Sequence, residues 1–438
     1  MFIRIDESVL NNTDNFTDDE INCIENIALS MKENKHIVFS DYNILKKLIS
    51  MEKLSRNSKK VFNSILKRWS LIYGLEKNIY GNILVVDNNQ EMKRIIDVNR
   101  IIYRVPLKYF DDTEKILPLH IIGEDESDCN FYEDIARRYI KDNGLGISIN
   151  TRRVHGGGNR TGSIYQRELT KYNKICLVIA DSDKESELSN IGDTAKDIKN
   201  IYDSNKDKYV TDIYILKVRE KENLIPPNLY KMCTNSSNSK RDLEVLKYIF
   251  DNELLQNIYY YSDIKDGITY KSLLTNKNNI KSILSYIDEI MKSGKYEQFL
   301  VKIEKYQLNK LYSYINSYIK CNSGDEFEEI SCTILESTCQ MDNDFKDSKI
   351  TNGIGYMLET ARQQIICLEL DKSIKEKERI YSINNNNTGL KNEIEKLKYI
   401  FKIINKVFDL LPDNIKMEWE AIANKIITWG CCLNEFIA

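Results

Sequence analysis

Apolar residues along the chain follow two spacings, and the dominant spacing changes from region to region. In residues 116–230, short apolar runs alternate with segments in which apolar residues lie three and four positions apart. The runs predict strands and the segments between them predict helices, so this region is expected to be a parallel sheet covered on both faces. The predicted strands are LPLHII (117–122), GISIN (146–150), KICLVIA (174–180) and YVTDIYILKV (209–218).

The two flanking regions have different patterns. Residues 1–115 combine helical spacing with two apolar runs, HIVFS (36–40) and NILVV (82–86), which predict an α/β N-terminal region. In residues 231–438, apolar residues recur at helical spacing almost throughout, which predicts an all-helical C-terminal region. The expected fold class is therefore α/β, with a central Rossmann-like domain between these two regions.

The composition is that of an ordinary globular protein and disfavours several classes. Hydrophobic residues make up 42% and charged residues 29% of the 438 residues, and the net charge is −3. With this balance, contact with phosphates must come from local basic patches. The 10 cysteines form no C-x-x-C pair and only 3 histidines are present, which favours a reducing cytoplasm over a disulfide framework or a zinc site. No signal-peptide pattern and no apolar run of about 18 residues occurs, so a cytoplasmic protein without a membrane span is expected.

Acidic residues follow three of the predicted strands. GEDESD (123–128) comes after LPLHII, DSD (181–183) after KICLVIA, and REKEN (219–223) after YVTDIYILKV. Because the carboxyl ends of parallel strands lie along one edge of a sheet, these carboxylates are expected to converge. Converging carboxylates repel one another unless a cation neutralises them, and their oxygens are preferred ligands of Mg2+ and Mn2+. The expected metal ligands are Glu124, Asp128, Asp181, Asp183 and Glu222.

The order of these motifs resembles that of a TOPRIM domain, the fold of topoisomerases, bacterial primases and OLD-family (overcoming lysogenization defect) nucleases. The likeness is nearest to OLD-like nucleases and related TOPRIM effectors of phage defence. Glu124-Asp125-Glu126-Ser127-Asp128 resembles their E-G-x-S-D motif, and Asp181-Ser182-Asp183 their D-x-D motif. Glu222-Asn223-Leu224-Ile225 resembles their late acidic motif. Asp125 replaces the expected glycine, and the chain contains no Walker A sequence.

This resemblance implies a metal-dependent endonuclease that hydrolyses DNA or RNA phosphodiesters with Mg2+ or Mn2+. Glu124, Asp181 and Asp183 would be the catalytic residues and metal ligands, while Asp128 and Glu222 would hold a second ion or orient its waters. Glu124 could instead serve as the general base, as in topoisomerases and primases.

The motifs do not assign a catalytic lysine, an ATPase or a partner protein, although the resemblance raises all three. The lysine that some OLD relatives use in catalysis has no assigned counterpart, and Lys217 and Lys221 are nearest in sequence. Without Walker A, any ATPase would be a separate protein. A regulatory partner that restrains toxicity and a homo-oligomer are both left open.

Two basic segments are candidates for contact with nucleic acid. HGGGNRTG (155–162) has the spacing of a P-loop without its lysine, and it is either a phosphate-contacting loop or a flexible turn. KLSRNSKKVFNSILKRW (53–69) carries six basic residues and no acidic one, and it is either a solvated surface or a phosphate-contact face. The residues expected to bind nucleic acid are Arg152, Arg153, Gly157, Gly158 and Arg160.

Three alternatives share part of this pattern. Nucleotide-sugar glycosyltransferases also place DSD after an apolar strand, and phosphatases of the haloacid dehalogenase type use D-x-D. Those phosphatases usually have Gly or Thr where this chain has Lys184, and neither class accounts for GEDESD. A non-catalytic TOPRIM-like domain that binds nucleic acid or scaffolds partners is the third alternative. Acidic residues also occur at strand ends simply because solvated loops begin there.

Overall fold

The first sheet of the protein has five strands in the order β2-β1-β3-β5-β4. The structure is a computed structural model that describes residues 1–11, 16–98, 100–233, 237–274, 276–295, 349–366, 370–383, 388–404 and 407–434. All strand pairs in this sheet are parallel except β4–β5, so the sheet is mixed. Its strands are β1 Phe2–Ile5, β2 Ile37–Ser40, β3 Gly81–Val86, β4 Lys93–Asp97 and β5 Arg100–Pro106.

The pattern of residues 1–115 predicted only two of these five strands. β1 comprises four residues at the start of the chain, and β4 and β5 carry charged residues on partly exposed positions, so neither has a clear apolar run. The helices of this region contribute their apolar residues to the hydrophobic core. The first of them begins at a reciprocal capping box between Thr17 and Glu20. These helices are α1 Asp18–Lys32, α2 Tyr42–Ser50, α3 Arg56–Lys67 and α4 Trp69–Glu76.

The second sheet has four strands in the order β10-β9-β6-β8, and all of its pairs are parallel, as predicted. The two central strands are buried along their whole length, which is why they appear in the sequence as continuous apolar runs. The strands are β6 Leu119–Gly123, β8 Thr151–His155, β9 Cys176–Ala180 and β10 Thr211–Ile215. The helices between them are α5 Glu126–Asp142, α6 Thr161–Thr170 and α7 Asp193–Asn205.

The apolar run at 146–150 was expected to supply a strand of this sheet, and that expectation is wrong. Its residues form β7 Ile147–Ile149, which pairs antiparallel with β11 Cys431–Leu433 near the end of the chain. The edge strand beside β6 is instead β8, whose two arginines and histidine are exposed. An edge strand tolerates such residues because one side of it is open to solvent, so periodicity alone could not identify it.

The described part of the C-terminal region is helical apart from β11 and one isolated bridge between Thr269 and Lys349. The prediction of an all-helical region is therefore correct except for this short strand, while residues 296–348 lie outside the described part. None of the described helices is both long and apolar enough to cross a membrane. The helices are α8 Pro227–Cys233, α9 Ser237–Phe250, α10 Gln256–Tyr261, α11 Tyr270–Leu274, α12 Lys277–Ser293, α13 Leu358–Ala361, α14 Leu370–Ile383, α15 Thr388–Ile404, α16 Val407–Leu410 and α17 Asp413–Gly430.

The last helix, α17, connects the two larger sheets. The indole N–H of Trp429 donates to Asp212 of β10 at 2.9 Å, and its ring meets Tyr103 of β5 edge to face at 5.6 Å. Earlier in the same helix, the indole N–H of Trp419 donates to the carbonyl of Leu224 at 2.9 Å. Both indoles are fully buried, so α17 fixes the position of β10 and of the loop that follows it.

Candidate active site

Carboxylates from three strand ends lie together at the carboxyl edge of the second sheet. Ile122 of β6 aligns with Val178 of β9, so the acidic segments that follow these neighbouring strands begin side by side. The loop after β10 brings in the third acidic segment. We call the resulting group the carboxylate cluster; it consists of Glu124, Asp128, Asp181, Asp183 and Glu222, each of which acts electrostatically on at least one other member.

Lys221 lies in the middle of the carboxylate cluster. Its ammonium group donates to Asp128 Oδ1, and its backbone N–H donates to Asp181 Oδ1 at 3.2 Å. Burial lowers the pKa of Lys221, but the charges of Asp128 and Glu222 act in the opposite direction and leave its pKa raised. The lysine therefore stays protonated and supplies a fixed positive charge inside the site.

This one charge does not compensate the carboxylates around it. The pKa of Asp181 is raised well above its ordinary value, mainly by burial and then by the charges of Glu222 and Asp128. Burial also raises the pKa of Glu124, with further contributions from Asp183 and Asp128. The pKa of Glu222 is raised by burial too, against the lowering effect of Lys221. Ionised carboxylates are thus disfavoured in this site unless protons or a bound cation compensate them.

The DSD segment is held in place through its backbone. Ser182 and Asp183 both donate their N–H groups to the carbonyl of Arg219 at 3.0 Å, and Ser182 Oγ donates to the carbonyl of Val218 at 2.6 Å. Asp183 has a φ of +52°, a left-handed conformation that aspartate tolerates better than most residues. A Cβ on Gly192 would lie 2.6 Å from the Cβ of Asp183, so a glycine is required there for this close approach.

Asp125, which stands where the related motif has glycine, fits its position without strain. It is the N-cap of α5 with an extended backbone (φ −129°), and its side chain accepts a hydrogen bond from Ser127 N at 2.9 Å. Asp128 Oδ2 accepts from Asp125 N at 2.8 Å in return, which completes a capping box. Both oxygens of Asp128 are thus engaged within the protein, one by Asp125 and one by Lys221.

The glycine loop after β8 supports the backbone of Glu124. Gly157 and Gly158 have φ values of +78° and +62°, and their N–H groups donate to the carbonyl of Glu124 at 2.9 and 3.2 Å. Gly156 donates to the carbonyl of Gly123 at 2.9 Å. The expectation that these amides would contact a phosphate is therefore corrected, because they are already paired and serve to position Glu124.

The arginines expected to bind nucleic acid do not form one patch. Side chains alternate along a strand, so Arg152 and Arg153 of β8 lie on opposite faces of the sheet. Arg153 donates to buried Glu133 from Nε at 3.1 Å and Nη2 at 2.8 Å. Arg152 lies on the face of His120, where its charge acts on that ring. Arg160 is exposed just before α6. The three arginines therefore lie in three different local environments.

The chemistry of the carboxylate cluster fits a divalent metal ion such as Mg2+ or Mn2+. In the part of the chain that the structure describes, no group of three or more His, Cys, Asp or Glu side chains is already arranged to hold a metal. The donors are nevertheless all carboxylate oxygens, the ligands that these hard cations prefer. Burial and mutual repulsion raise the pKa values of Glu124 and Asp181, so a bound cation would stabilise their ionised forms. Among the described contacts, Asp128 is the one member whose side chain bonds to the Lys221 ammonium group, so Glu124, Asp181, Asp183 and Glu222 are left to hold an ion.

Comparison with known proteins adds no relative to this description. No family model, no curated protein and no solved structure matches the chain. The carboxylate cluster must therefore be interpreted from its own geometry and charge.

Sequence reasoning missed two residues of the site and left a third unassigned. Tyr132 Oη donates to Asp181 Oδ1 at 3.4 Å; it lies four residues after Asp128 on α5, a helical spacing that could have indicated it. Lys265 is an exposed residue of the helical region whose charge lowers the pKa of Glu124, and no local pattern predicts that electrostatic effect. Of the two lysines named from the sequence, Lys221 is the central one.

Proposed function

We propose that the protein is a metal-dependent nuclease with a TOPRIM-like catalytic domain, which hydrolyses DNA or RNA phosphodiesters with Mg2+ or Mn2+. The observation that carries this proposal is the carboxylate cluster, in which acidic residues that follow three strands surround one lysine at the carboxyl edge of the second sheet. Such a cluster, at the ligand-binding edge of a parallel sheet, is suited to a divalent ion and a phosphodiester.

The protein's own groups have separable roles in this proposal. Glu124, Asp181 and Asp183 would hold the metal, which when bound would activate a water molecule and stabilise the charge that develops on the phosphate. Lys221 holds the Asp128 carboxylate through its ammonium group and the Asp181 carboxylate through its backbone N–H, and its charge would attract the anionic substrate.

Glu124 also has the environment of a general base. Burial raises the pKa of Glu124 above the ordinary carboxyl value, which makes its ionised form a stronger proton acceptor. The glycine loop fixes its backbone, so the side chain begins from a rigid position. Acceptance of the proton from water by Glu124 is therefore the alternative to a purely ligating role.

The participation of Glu124 favours a nuclease over the other enzyme classes. A glycosyltransferase or a D-x-D phosphatase would account for Asp181 and Asp183 but not for the acidic segment GEDESD that follows β6. Here the charges of Glu124, Asp128 and Asp183 act on one another across two strand ends. A non-catalytic scaffold gains nothing from buried carboxylates with raised pKa values, which cost stability.

A role in phage defence, with a regulatory or ATPase partner protein, forms part of the proposal only through the resemblance of the motifs. The chain has no Walker A sequence, so nucleotide hydrolysis would come from another protein. A homo-oligomer is equally compatible with the fold, and size-exclusion chromatography with light scattering measures it directly.

The test is cleavage by the purified full-length protein. Supercoiled plasmid, single-stranded DNA and total RNA are incubated with Mg2+, Mn2+ or EDTA, alongside a nucleotide sugar as the substrate of the competing class. Glu124→Gln and Asp181→Asn should each lower phosphodiester cleavage at least ~100-fold, the lower range for an acid–base residue or metal ligand. Glu126→Gln is the matched control, because Glu126 is an exposed carboxylate two positions from Glu124 and outside the cluster.

Three results would contradict the proposal. The first is cleavage that persists in EDTA, and the second is full activity in Glu124→Gln. The third is hydrolysis of the nucleotide sugar without cleavage of any nucleic acid, which would assign the DSD segment to a glycosyltransferase.

A further inference from the structure

Positive charge is concentrated in one short part of this slightly acidic chain. Residues 42–80 contain nine lysines and arginines and two acidic residues, a net charge of +7 (9 − 2) within a protein of net charge −3. The segment comprises α2, α3 and α4, which lie in the N-terminal region. One of the two acidic residues, Glu76, is buried and accepts from Arg4 at 3.4 Å, so it neutralises little of the charge.

The basic residues of α3 form a stripe on its solvent side. Arg56, Lys60 and Lys67 are exposed and lie at positions i, i+4 and i+11, which fall on one side of an α-helix. The opposite side, with Val61, Phe62 and Ile65, is buried in the core. At 1.5 Å per residue the stripe extends over about 16 Å.

These cations are not paired with a carboxylate in the described part of the chain. Among the residues that the structure describes, Arg56, Lys60 and Lys67 form no salt bridge. The adjacent helix α2 packs against α3 and adds two further exposed lysines, Lys46 and Lys47. We call these five residues the basic surface. Its charge is therefore available to a partner of opposite sign.

We propose that the basic surface binds the phosphate backbone of a nucleic acid, at a position distinct from the carboxylate cluster. Phosphates of a duplex repeat every ~3.4 Å along each strand, so a stripe of about 16 Å spans roughly five of them. The contact would be independent of sequence, because lysine and arginine at this spacing address phosphates rather than base edges. The carboxylate cluster repels polyanions in the absence of metal, so a separate basic surface supplies the affinity that the cluster lacks.

A membrane surface is the competing polyanion, and the structure disfavours it. A helix that binds at a membrane interface exposes its apolar face, whereas α3 has buried that face inside the protein. The exposed positions between the cations are polar, with Asn57 and Asn63 both exposed. The proposal goes beyond the nuclease activity and does not depend on it, since binding is measured without metal.

The test is binding by the full-length protein in EDTA, measured by fluorescence anisotropy with a labelled 30-base-pair duplex and a labelled 30-nucleotide strand. The triple variant Arg56→Glu, Lys60→Glu, Lys67→Glu should weaken binding at least tenfold at low salt. It should also reduce the slope of log Kd against log salt by about 2 to 3 on the duplex, since each phosphate contact contributes ~0.9. A milder set with Gln at the same three positions should give a smaller loss in the same direction.

The matched control changes net charge equally at scattered sites. Lys141→Glu, Lys171→Glu and Lys208→Glu alter three exposed lysines on the second sheet's helices and loops, and should change binding less than threefold. Equal losses in both triple variants would overturn the proposal, as would unchanged binding in folded Arg56/Lys60/Lys67 variants. Binding to vesicles rich in phosphatidylserine without binding to either nucleic acid would overturn it in favour of a membrane. Binding is measured in EDTA and cleavage with Mg2+ or Mn2+, so the two proposals are tested separately. A protein that binds nucleic acid in EDTA but cleaves none with metal would refute only the nuclease proposal.

Discussion

Glu220 makes the stability of the protein depend on pH in a way that one substitution removes. It is buried at the N-terminus of the short 3-10 helix Lys221–Leu224, in a reciprocal capping box with Asn223. Burial, and then the charges of Glu222 and Asp263, raise its pKa from 4.5 to about 8. Between these two pH values the side chain is protonated in the folded protein and ionised in the unfolded chain. Folding therefore takes up a proton, and stability falls as pH rises through this window.

The magnitude follows from the shift. The pKa difference is about 3.5 units (8 − 4.5), and at 1.36 kcal/mol per unit the contribution that is lost by pH 8 reaches about 5 kcal/mol as an upper value. Gln at this position is uncharged at every pH and keeps the oxygen that accepts from Lys265 N at 3.2 Å. Glu220→Gln should thus be nearly neutral at pH 5 and stabilising by roughly 3–5 kcal/mol at pH 8.

Urea denaturation followed by tryptophan fluorescence at pH 5, 6, 7 and 8 measures this difference, because Trp419 and Trp429 are buried and report on unfolding. Other carboxylates with raised pKa values add to the pH dependence of both proteins, so only the difference between them is interpreted. Glu185→Gln, at an exposed position, is the control and should give parallel curves. A stability difference for Glu220→Gln that is the same at pH 5 and pH 8 would refute the assigned pKa shift.

Three further predictions concern the carboxylate cluster. Gly192→Ala should displace Asp183 and lower cleavage at least tenfold with the fold retained by circular dichroism, because the new Cβ would lie 2.6 Å from that of Asp183. Gly74→Ala is the control and should leave cleavage unchanged, because a Cβ at Gly74 would have no atom within 4 Å. A fully active Gly192→Ala variant would show that the position of Asp183 is not critical. Millimolar Mn2+ should raise Tm more at pH 8 than at pH 5.5, because protons compete with the metal for carboxylates with raised pKa values such as Asp181. If Mn2+ shifts Tm at neither pH, the result contradicts a metal site. Lys221→Met should abolish cleavage and lower Tm more at pH 8 than at pH 5.5, because the carboxylates around Lys221 repel one another only when they are ionised. An equal decrease in Tm at both pH values would show that the lysine acts through packing.

The parts of the fold that were predictable are those with one dominant periodicity. β6 and β9 are buried on both faces and therefore appear as apolar runs, and from them followed the parallel sheet and the convergence of the acidic segments. β8 and β4 carry exposed charged residues at sheet edges, so their patterns resemble loops. The pairing of β7 with β11 joins residues about 280 positions apart, a contact that no local window contains.

The site shows the same division between local and distant information. The members of the carboxylate cluster lie in the segments that follow three parallel strands, and this topology brings those segments to one edge of the sheet. The sequence could not show that Gly157 and Gly158 pair with the carbonyl of Glu124, because a glycine loop that holds backbone and one that holds phosphate have the same composition. It also could not show that Arg152 and Arg153 point to opposite faces of the sheet, because β8, which contains both residues, was not predicted as a strand.

The position of α17 has a consequence for how the protein is synthesised. The segment between β10 and α8 is secured to α17 by two bonds, from Trp419 to the carbonyl of Leu224 and from Lys217 N to Glu418 Oε1 at 2.7 Å. A nascent chain that has not yet released residues 413–430 from the ribosome lacks both bonds, although Glu124, Asp181 and Asp183 were translated long before. The edge that carries the carboxylate cluster therefore gains this support only after residues 413–430 have left the ribosome, and under the proposed nuclease function activity toward ribosomal nucleic acids would not precede that step.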